Sequence, residues 1–322
     1  MRIILALALS LLLAVPAFAA GPCVVHEKAG PRLARLQEAM AAGRFVAYTP
    51  TSLKIVWGEV TPADAASIRE DLKALRPYFD GLITYSSRDG AELVPAIAAE
   101  LGYKAVIIGL WTPSDPDEVR NAIGAARRYP DLVLGFSLGN EIILGKRGTW
   151  AELGRYVDLM RAGVPDVPLT VSEPFAQFLD GDAAPVRDEL DFMLVNIHPV
   201  FEKWFGTAGP ENWSDFVVKV TDRLAGAYCG PIVVKETGLP TGPAGEGFTP
   251  ERQAAFWRAL EGRFPPSRAR AFSYFSAFDA PWRTQDIHPV PGEHPEEAFW
   301  GLFTEARAPK PAIEGLKKLP AR

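Results

Sequence analysis

The sequence predicts a single (β/α)8 TIM barrel, because eight short apolar runs follow residue 44 and segments with helical spacing separate them. Runs that are apolar throughout are typical of strands buried on both faces of a parallel sheet. The starts of the runs lie roughly 23 to 40 residues apart, the length of a βα unit. Eight such units in roughly 230 residues match an α/β barrel. The chain also lacks the G-x-G-x-x-G turn of a dinucleotide-binding doubly wound sheet.

Three of the segments between the runs carry clear helix signals. Thr61 is a predicted N-cap, followed by Pro62 and by an apolar face of Ile68, Leu72 and Leu75. A second Thr-Pro start at residues 249–250 precedes another predicted helix, and residues 213–224 carry a third apolar stripe at helical spacing. The predicted strands are, in chain order, Phe45–Tyr48, Leu82–Tyr85, Ala105–Leu110, Leu132–Ser137, Leu169–Ser172, Phe192–Ile197, Ile232–Lys235 and Ala271–Ala277.

Residues 1–19 are predicted to be a secretory signal peptide. Arg2 precedes the apolar run Ile3–Val15, and an Ala-x-Ala end follows. The run is shorter than the ~20 residues of a transmembrane helix, and we expect no membrane span in the mature chain. Residues 20–322 are expected to form one domain in the periplasm or outside the cell. Export permits a disulfide between Cys23 and Cys229, and two free thiols are equally consistent with the sequence.

Composition and motif searches exclude several classes of function. The formal net charge of −5 argues against a nucleic-acid-binding surface. The four histidines have no H-x-x-x-H spacing, so we expect no metal site. A P-loop is missing from the sequence. We therefore expect no cofactor, and the sequence does not determine the oligomeric state.

The residues that follow the predicted strands are rich in carboxylates and aromatic rings. In a barrel of this type the active site lies at the C-terminal ends of the strands. Sugars suit such a lining, since their C–H faces stack on aromatic rings and their hydroxyls bond to acids and amides. Glycoside cleavage needs two carboxylates from separate strands. Glu141, Glu173 and Glu236 are the candidates, and composition alone does not choose among them.

Four segments resemble glycoside hydrolase family 17, which contains β-1,3-glucanases and glucanosyltransferases. Residues 136–141, F-S-L-G-N-E, are similar to the V-G-N-E segment of the fourth strand of that family. Residues 233–241, V-V-K-E-T-G-L-P-T, resemble its seventh-strand segment, usually S/G-E-T/S-G-W-P-S/T. Residues 274–282 and 299–303 resemble the eighth-strand and closing segments of bacterial members. The likeness runs from about Val46 to Ala312.

The resemblance implies a retaining mechanism and a role for each matching residue. Glu141, at the end of the fourth strand, matches the general acid/base, and Glu236, at the end of the seventh, matches the nucleophile. Asn140 matches the residue that contacts the sugar near its 2-hydroxyl, and Tyr85 an aromatic residue at the donor sugar. Further candidate substrate contacts are His198, Glu202, Asp279 and Trp282. For some of these residues a structural role is the alternative.

Departures from the family pattern leave the details of the substrate open. Ser276 and Ala280 replace two glutamates of the bacterial segment, and Leu239 replaces a tryptophan. The sequence favours a hydrolase of β-1,3-glucan, with a β-1,3-glucanosyltransferase or a non-catalytic glucan-binding protein as alternatives. We expect the pKa of Glu141 to be raised and Glu236 to stay ionised. Because the side chains of neighbouring residues in a strand point to opposite faces of the sheet, Lys235 is expected to face the side opposite to Glu236.

Overall fold

The computed structural model describes residues 26–285 and 292–320. Within these residues, eight parallel strands close into a barrel, which confirms the predicted fold class. A separate antiparallel hairpin, which the sequence analysis did not predict, lies in the connection that follows the first barrel strand. The predicted signal peptide and Cys23 lie outside the described residues, so the cleavage and the disulfide stay predictions. No helix in the described part has the length and hydropathy needed to cross a membrane.

The strands are numbered in chain order, with the hairpin as β2 and β3. They are β1 Phe45–Ala47, β2 Lys54–Val56, β3 Glu59–Thr61, β4 Gly81–Ile83, β5 Ala105–Leu110, β6 Val133–Asn140, β7 Leu169–Pro174, β8 Met193–Asn196, β9 Ile232–Glu236 and β10 Arg270–Tyr274. The barrel order is β1-β4-β5-β6-β7-β8-β9-β10, after which β10 pairs with β1. The fourth and seventh barrel strands are therefore β6 and β9.

Helices alternate with the strands and cover the outside of the barrel. The α-helices are α1 Gly30–Ala42, α2 Ala65–Leu75, α3 Val94–Glu100, α4 Pro116–Arg128, α5 Trp150–Gly163, α6 Phe175–Leu179, α7 Ala184–Arg187, α8 Pro210–Ala225, α9 Pro250–Arg263 and α10 Pro311–Glu314. Short 3-10 helices include Pro199–Phe201, Ala244–Glu246, Pro281–Gln285 and Pro295–Phe299.

The barrel interior is a packed apolar core that is closed at its N-terminal end by α1. Leu36 and Met40 of α1 are fully buried against the strand side chains Phe45, Leu134 and Phe192. Burial of such side chains stabilises the fold by roughly 1.5–3 kcal/mol each. The opposite end of the barrel, formed by the C-terminal ends of the strands and here called the mouth, is where barrels of this type carry their active sites.

The predicted helix starts are correct in one case and wrong in another. Thr249 caps α9, since its hydroxyl accepts a hydrogen bond from the backbone N–H of Arg252. Thr61 does not cap α2, because it ends strand β3 and pairs with Lys54. The N-cap of α2 is Asp64, whose carboxylate accepts from the third backbone N–H of the helix. The hairpin contains Thr61, the residue that the local signal assigned to the helix start, while Ile68, Leu72 and Leu75 do lie in α2.

Candidate active site

Glu141 and Glu236 lie together at the mouth. Glu236 is the last residue of β9, and Glu141 directly follows the last residue of β6. Asn196, the last residue of β8, connects them: it is the sheet partner of Glu236, and its Nδ2 donates to Oε1 of Glu141 over 2.9 Å. The two carboxylates predicted from the sequence therefore share one buried polar neighbour.

An irregular end of β6 directs Glu141 into the mouth. Between Ser137 and Asn140, β6 contains one residue more than its partner β7, which is a β-bulge. Gly139 in this bulge has φ +91°, and a Cβ there would lie 2.3 Å from the side chain of Ile142. Glu141 has φ +52°, and its N–H donates to the carbonyl of Ser172 over 2.8 Å. The bulge needs glycine and holds Glu141 in a strained conformation typical of functional sites.

The surroundings of Glu141 favour the protonated form of its carboxyl group. Burial raises the pKa of its carboxyl, and the nearby negative charge of Glu236 raises it further. The hydrogen bond from Asn196 and the proximity of His198 and of the Lys235 ammonium oppose this effect without cancelling it. The direction is the one expected for a group that donates a proton near neutral pH.

Glu236 is held in its ionised form although it is more deeply buried than Glu141. Burial alone would raise the pKa of its carboxyl, but Lys235, His198 and Arg283 lower it to about 2. Its Oε1 lies 3.3 Å from Nζ of Lys235, and its Oε2 lies 3.5 Å from Nε2 of His198. With 7% of its side chain exposed, Glu236 is a buried carboxylate that keeps its charge through these neighbours.

Lys235 points into the barrel mouth, so the prediction of an outward side chain is wrong. In the pairing of β8 with β9, Val195 is opposite Val234 and Asn196 is opposite Glu236, which leaves Lys235 as an extra residue. Such a bulge interrupts the alternation of side chains along a strand. Lys235 and Glu236 can therefore both direct their charged groups to the same side.

Asn140 is placed at the mouth by hydrogen bonds to its side-chain oxygen. Its Oδ1 accepts from Nζ of Lys235 and from Oγ of Ser172, the latter over 3.1 Å. Arg147 donates to its backbone carbonyl and stacks over the ring of Trp111 at 4.8 Å. The amide is thus anchored through its oxygen, so its Nδ2 group faces away from Lys235 and Ser172.

Tyr85 lies beside the charged groups, just beyond the end of β4. Its ring centroid is 4.0 Å from Nζ of Lys235, a cation–π contact. Burial, together with the carboxylate of Glu236, raises the pKa of the hydroxyl far above its usual value. Within the described residues, this buried hydroxyl has no hydrogen-bond partner. The structure places Tyr85 at the mouth, as predicted.

His198 is enclosed by aromatic rings on the other side of Glu236. Its ring meets those of Phe275, Trp300 and Phe201 at centroid distances of 5.4, 5.2 and 5.5 Å, all edge-to-face. This packing fixes the imidazole with Nε2 toward Glu236. Nδ1 is buried without a hydrogen-bond partner among the described residues. His198 therefore contacts the predicted nucleophile.

The other predicted contacts lie farther from the pair. Trp282 lines a small cleft together with Tyr85, Ser276 and Ala280, so the two positions that lost glutamates border this cleft. Asp279 also borders it, but its Oδ1 accepts from Nζ of Lys310 over 2.6 Å and from the N–H of Gly301 over 3.0 Å. These bonds connect Asp279 to the C-terminal tail and to Gly301, which agrees with a structural role for Asp279, the alternative to a sugar contact. Glu202, after the helix Pro199–Phe201, is partly buried.

Glu173 supports the turn that follows Glu141. Its Oε1 accepts from the N–H of Ile143 over 2.8 Å, and its Oε2 accepts from the N–H of Leu144 over 3.3 Å. Burial raises the pKa of Glu173 to about 7, in spite of these hydrogen bonds. The third candidate carboxylate thus lies behind the turn and does not belong to the pair that Asn196 connects.

Sequence analysis did not name Ser172, Asn196 and Lys235 as functional residues. Each lies at or near the C-terminal end of a predicted strand, which is the signal that could have found them. Their roles depend on contacts between strands, which a single sequence does not show. In the described part of the chain, no group of three His, Cys, Asp or Glu residues could hold a metal ion.

A comparison with protein families identifies the chain. The family model of the BtgE/BtgC glycoside hydrolase domain matches residues 46–301, a span that contains Glu141 and Glu236. The chain belongs to this family. It is therefore a glycosidase, and the resemblance to glycoside hydrolase family 17 is confirmed.

Curated relatives of this glycoside hydrolase are distant in sequence. A glucan 1,3-beta-glucosidase of Arthroderma benhamiae is 25% identical over 269 residues, covering 77% of this chain and 84% of the relative. A probable family 17 glucosidase of Saccharomyces cerevisiae is 22% identical over 249 residues. That match covers 74% of this chain and 60% of the relative, which is the longer protein.

Solved structures of similar proteins share the barrel. The glycoside hydrolase family 17 beta-1,3-glucanosyltransferase of Rhizomucor miehei has a TM-score of 0.61 at 20% identity, covering 83% of this chain and 95% of that one. An endo-laminarinase from Formosa Hel1_33_131 has a TM-score of 0.63 at 18% identity, covering 81% and 83%. At these identities the likeness establishes the fold alone.

Proposed function

We propose that this glycoside hydrolase cleaves β-1,3-glucan with retention of configuration, using Glu236 as the nucleophile and Glu141 as the general acid/base. The observation that carries the proposal is that two carboxyl groups share Asn196 as a neighbour, while their pKa values are shifted in opposite directions. The pKa of Glu236 is lowered to about 2, whereas the pKa of Glu141 is raised. Two titratable groups whose pKa values are pushed apart are the usual mark of an acid and a base at one site.

The first step transfers the sugar to the enzyme. A carboxylate oxygen of Glu236 attacks the anomeric carbon, and the bond from that carbon to the leaving oxygen breaks. Glu141 gives its proton to the leaving oxygen, so the product departs as an alcohol. The negative charge of Glu236 is consumed in the ester bond, which removes one cause of the raised pKa of Glu141.

The second step returns the enzyme to its starting state. Glu141, now a carboxylate, takes a proton from water, and the water oxygen attacks the anomeric carbon. The bond to Glu236 breaks, and its carboxylate is again paired with Lys235 and His198. If a sugar hydroxyl replaces water, the same step becomes a glucanosyl transfer.

Substrate contacts follow from the groups that remain available around the pair. Asn140 presents its Nδ2 on the side opposite its anchored oxygen, where it can donate to the hydroxyl beside the anomeric carbon. Tyr85 offers a hydroxyl without a partner, and Trp282 offers a ring in the adjoining cleft. Hydrogen-bond donors next to the charged pair and rings along the cleft suit a neutral sugar.

The choice of β-1,3-glucan rests on relatives. The Arthroderma benhamiae relative is named as a glucan 1,3-beta-glucosidase, and a structure of an active-site mutant of the Rhizomucor miehei glucanosyltransferase contains laminaritriose. We extend this linkage to the present chain because its mouth keeps the two carboxylates and Asn140. We further propose that residues 1–19 direct export and that residues 20–322 form one catalytic domain acting in the periplasm or outside the cell.

The proposal is tested by incubating the protein with laminaripentaose, a β-1,3-linked pentamer of glucose, in water enriched in oxygen-18. Mass spectrometry of the products is expected to show shorter chains with one heavy oxygen at each new reducing end. The first-formed anomer, observed by proton NMR, is expected to be β. Longer chains would establish the transferase, and unchanged pentamer with measurable binding would establish a binding protein.

Two controls make these outcomes specific. Cellopentaose, the β-1,4-linked pentamer, reports the linkage preference and is expected to remain largely uncleaved. The Glu246→Ala variant changes an exposed carboxylate in the 3-10 helix that follows β9, and it is expected to retain wild-type turnover. An α-anomeric first product would contradict the retaining mechanism, and cleavage of cellopentaose alone would contradict the proposed linkage.

A further inference from the structure

Lys235 is a buried cation inside the candidate active site. Its side chain is 1% exposed, and burial lowers the pKa of its ammonium. An ammonium group is costly to remove from water unless hydrogen bonds and an opposite charge compensate for it. The resembling family segment carries serine or glycine at this position, so the lysine is a feature of this chain that the shared motif does not explain.

The Lys235 ammonium makes two hydrogen bonds, one ion pair and one cation–π contact, all with groups of the protein. Nζ donates to Oδ1 of Asn140 and, over 3.2 Å, to Oγ of Ser172. It lies 3.3 Å from Oε1 of Glu236, and the Tyr85 ring covers it at 4.0 Å. The ammonium is therefore directed to groups of the protein, and Lys235 acts on the substrate through its neighbours.

The hydrogen bond to Asn140 decides which way its amide faces. An ammonium can only donate, so the atom of Asn140 that meets it must be the oxygen. Because Oδ1 is fixed toward Lys235, Nδ2 must face the other way, and Nδ2 donates no hydrogen bond shown within the described residues. If the lysine were absent, the amide could turn over and present an acceptor where a donor is needed.

We propose that Lys235 is a positioning residue, which fixes the Asn140 amide with Nδ2 toward the sugar and pairs with the Glu236 carboxylate. The proposal rests on the proposed function, since it assigns Asn140 a hydroxyl of the bound sugar. The charged and titratable groups around Glu236 are Lys235, His198, Arg283, Glu141 and Tyr85. Of these, Lys235 has the largest part in lowering the pKa of Glu236, which supports the second half of the proposal.

The experiment compares Lys235→Met with Lys235→Gln on two substrates. Both are 2,4-dinitrophenyl β-laminaribiosides, and one lacks the 2-hydroxyl of the sugar whose bond is broken. Methionine keeps the length of the side chain without donors or charge, whereas glutamine keeps an N–H donor for Oδ1 of Asn140 without the charge. The two variants therefore separate the orientation of Asn140 from the ion pair with Glu236.

Lys235→Met is expected to lower kcat/KM on the complete substrate by about 10- to 100-fold more than on the 2-deoxy substrate. Asn140→Ala is expected to show the same difference, and the double variant is expected to show no additional loss. Lys235→Gln is expected to restore the discrimination between the two substrates. In both lysine variants the acid limb of the pH profile of kcat/KM is expected to move to higher pH, because the cation that keeps Glu236 ionised is gone.

Three results would overturn the role of Lys235, provided that the wild-type enzyme turns over: equal losses of kcat/KM on the two substrates, losses that add to those of Asn140→Ala, or an acid limb that stays at the wild-type pH. Absence of turnover by the wild-type enzyme would overturn the proposed function together with this inference. Circular dichroism establishes that each variant is folded. If Lys235→Met does not fold, Lys235→Gln alone decides: retained discrimination with a shifted acid limb supports the proposal, and lost discrimination contradicts it.

Discussion

A buried carboxylate at the N-terminal end of the barrel differs in its hydrogen bonding from buried polar groups at the mouth. At the N-terminal end, both oxygens of Asp191 have partners: Oδ1 accepts from His26 over 2.9 Å, and Oδ2 accepts from Arg161 and from the N–H of Leu169 over 2.9 and 2.8 Å. At the mouth, within the described residues, the hydroxyl of Tyr85 and Nδ1 of His198 are buried without hydrogen bonds. The Asp191 carboxylate is satisfied by the protein itself, and these two groups at the mouth are not.

The difference shows which end of the molecule is built for a ligand. A buried polar atom without a partner costs about 1–3 kcal/mol, and native structures contain few of them. Several such atoms lie around Glu236, and the backbone of Glu141 is strained. Both features lower the free energy of unfolding, so the mouth is less stable than it could be. Substitutions at the mouth should therefore affect turnover, and substitutions at the N-terminal end should affect folding.

Glu236→Ala should have the largest effect on turnover. Without a nucleophile, kcat is expected to fall by about 10⁴-fold or more. Azide is expected to restore turnover with an inverted product, because a small anion can occupy the space left by the carboxylate. The anomer of the glucosyl azide is read by NMR. Rescue that gives a β-glucosyl azide would show that Glu236 is not the nucleophile.

Glu141→Ala should have a smaller effect, and one that depends on the leaving group. On laminaripentaose, loss of the general acid is expected to lower kcat by about 10²- to 10⁴-fold. A dinitrophenyl glucoside leaves without a proton, so its cleavage step is expected to remain close to wild type in stopped-flow measurements of dinitrophenolate release. An equal loss on both substrates would contradict the assignment of Glu141 as the acid.

Asp191→Asn tests the N-terminal end. Removing the charge that Arg161 and His26 contact is expected to lower the free energy of unfolding by about 2–4 kcal/mol, measured with urea. The folded enzyme is expected to keep its kcat. Asp166→Asn is the matched control, because that carboxylate is 60% exposed and its ion pair with Arg32 contributes only about 0–1 kcal/mol. A fall in kcat without a fall in the free energy of unfolding would contradict the structural role assigned to Asp191.

Glu173→Gln tests the support behind Glu141 through the pH dependence of stability. The folded carboxyl has a pKa of about 7, against an ordinary value of 4.5. Between these values the folded state keeps a proton that the unfolded state releases, so this stabilisation is full below pH 4.5 and is lost as pH rises to 7. Urea unfolding across this range is expected to show a decline of about 1–3 kcal/mol in wild type that is absent in Glu173→Gln. The same slope in both proteins would contradict the raised pKa.

Much of the barrel and the position of the two candidate carboxylates could be predicted from the sequence because the signals are local. Strands buried on both faces read as apolar runs, and Glu141 and Glu236 each stand at the end of such a run. The raised pKa of Glu141 and the ionised state of Glu236 also agree with expectation. These features follow from strand burial and from the position of each residue along its own strand.

The features that were missed depend on contacts between segments distant in the chain. The inward direction of Lys235 results from a bulge defined by the register of β8 against β9, which no pattern within β9 reveals. The bond of Asp279 to Lys310 joins residues 31 apart. Thr61 carries a valid helix-start signal, but pairing with Lys54 takes it into a hairpin. Local rules fail where tertiary pairing provides a better partner.

The central claim is that Glu236 is the charged nucleophile, and covalent trapping tests it most directly. In 2,4-dinitrophenyl 2-deoxy-2-fluoro-β-glucoside, the fluorine slows both chemical steps and the reactive leaving group favours the first, so the glucosyl-enzyme accumulates. Digestion and mass spectrometry are expected to find one fluoroglucosyl group on the peptide that contains Glu236, with loss of activity in proportion. A label on Glu141, or turnover of substrate without any covalent label, would contradict the account.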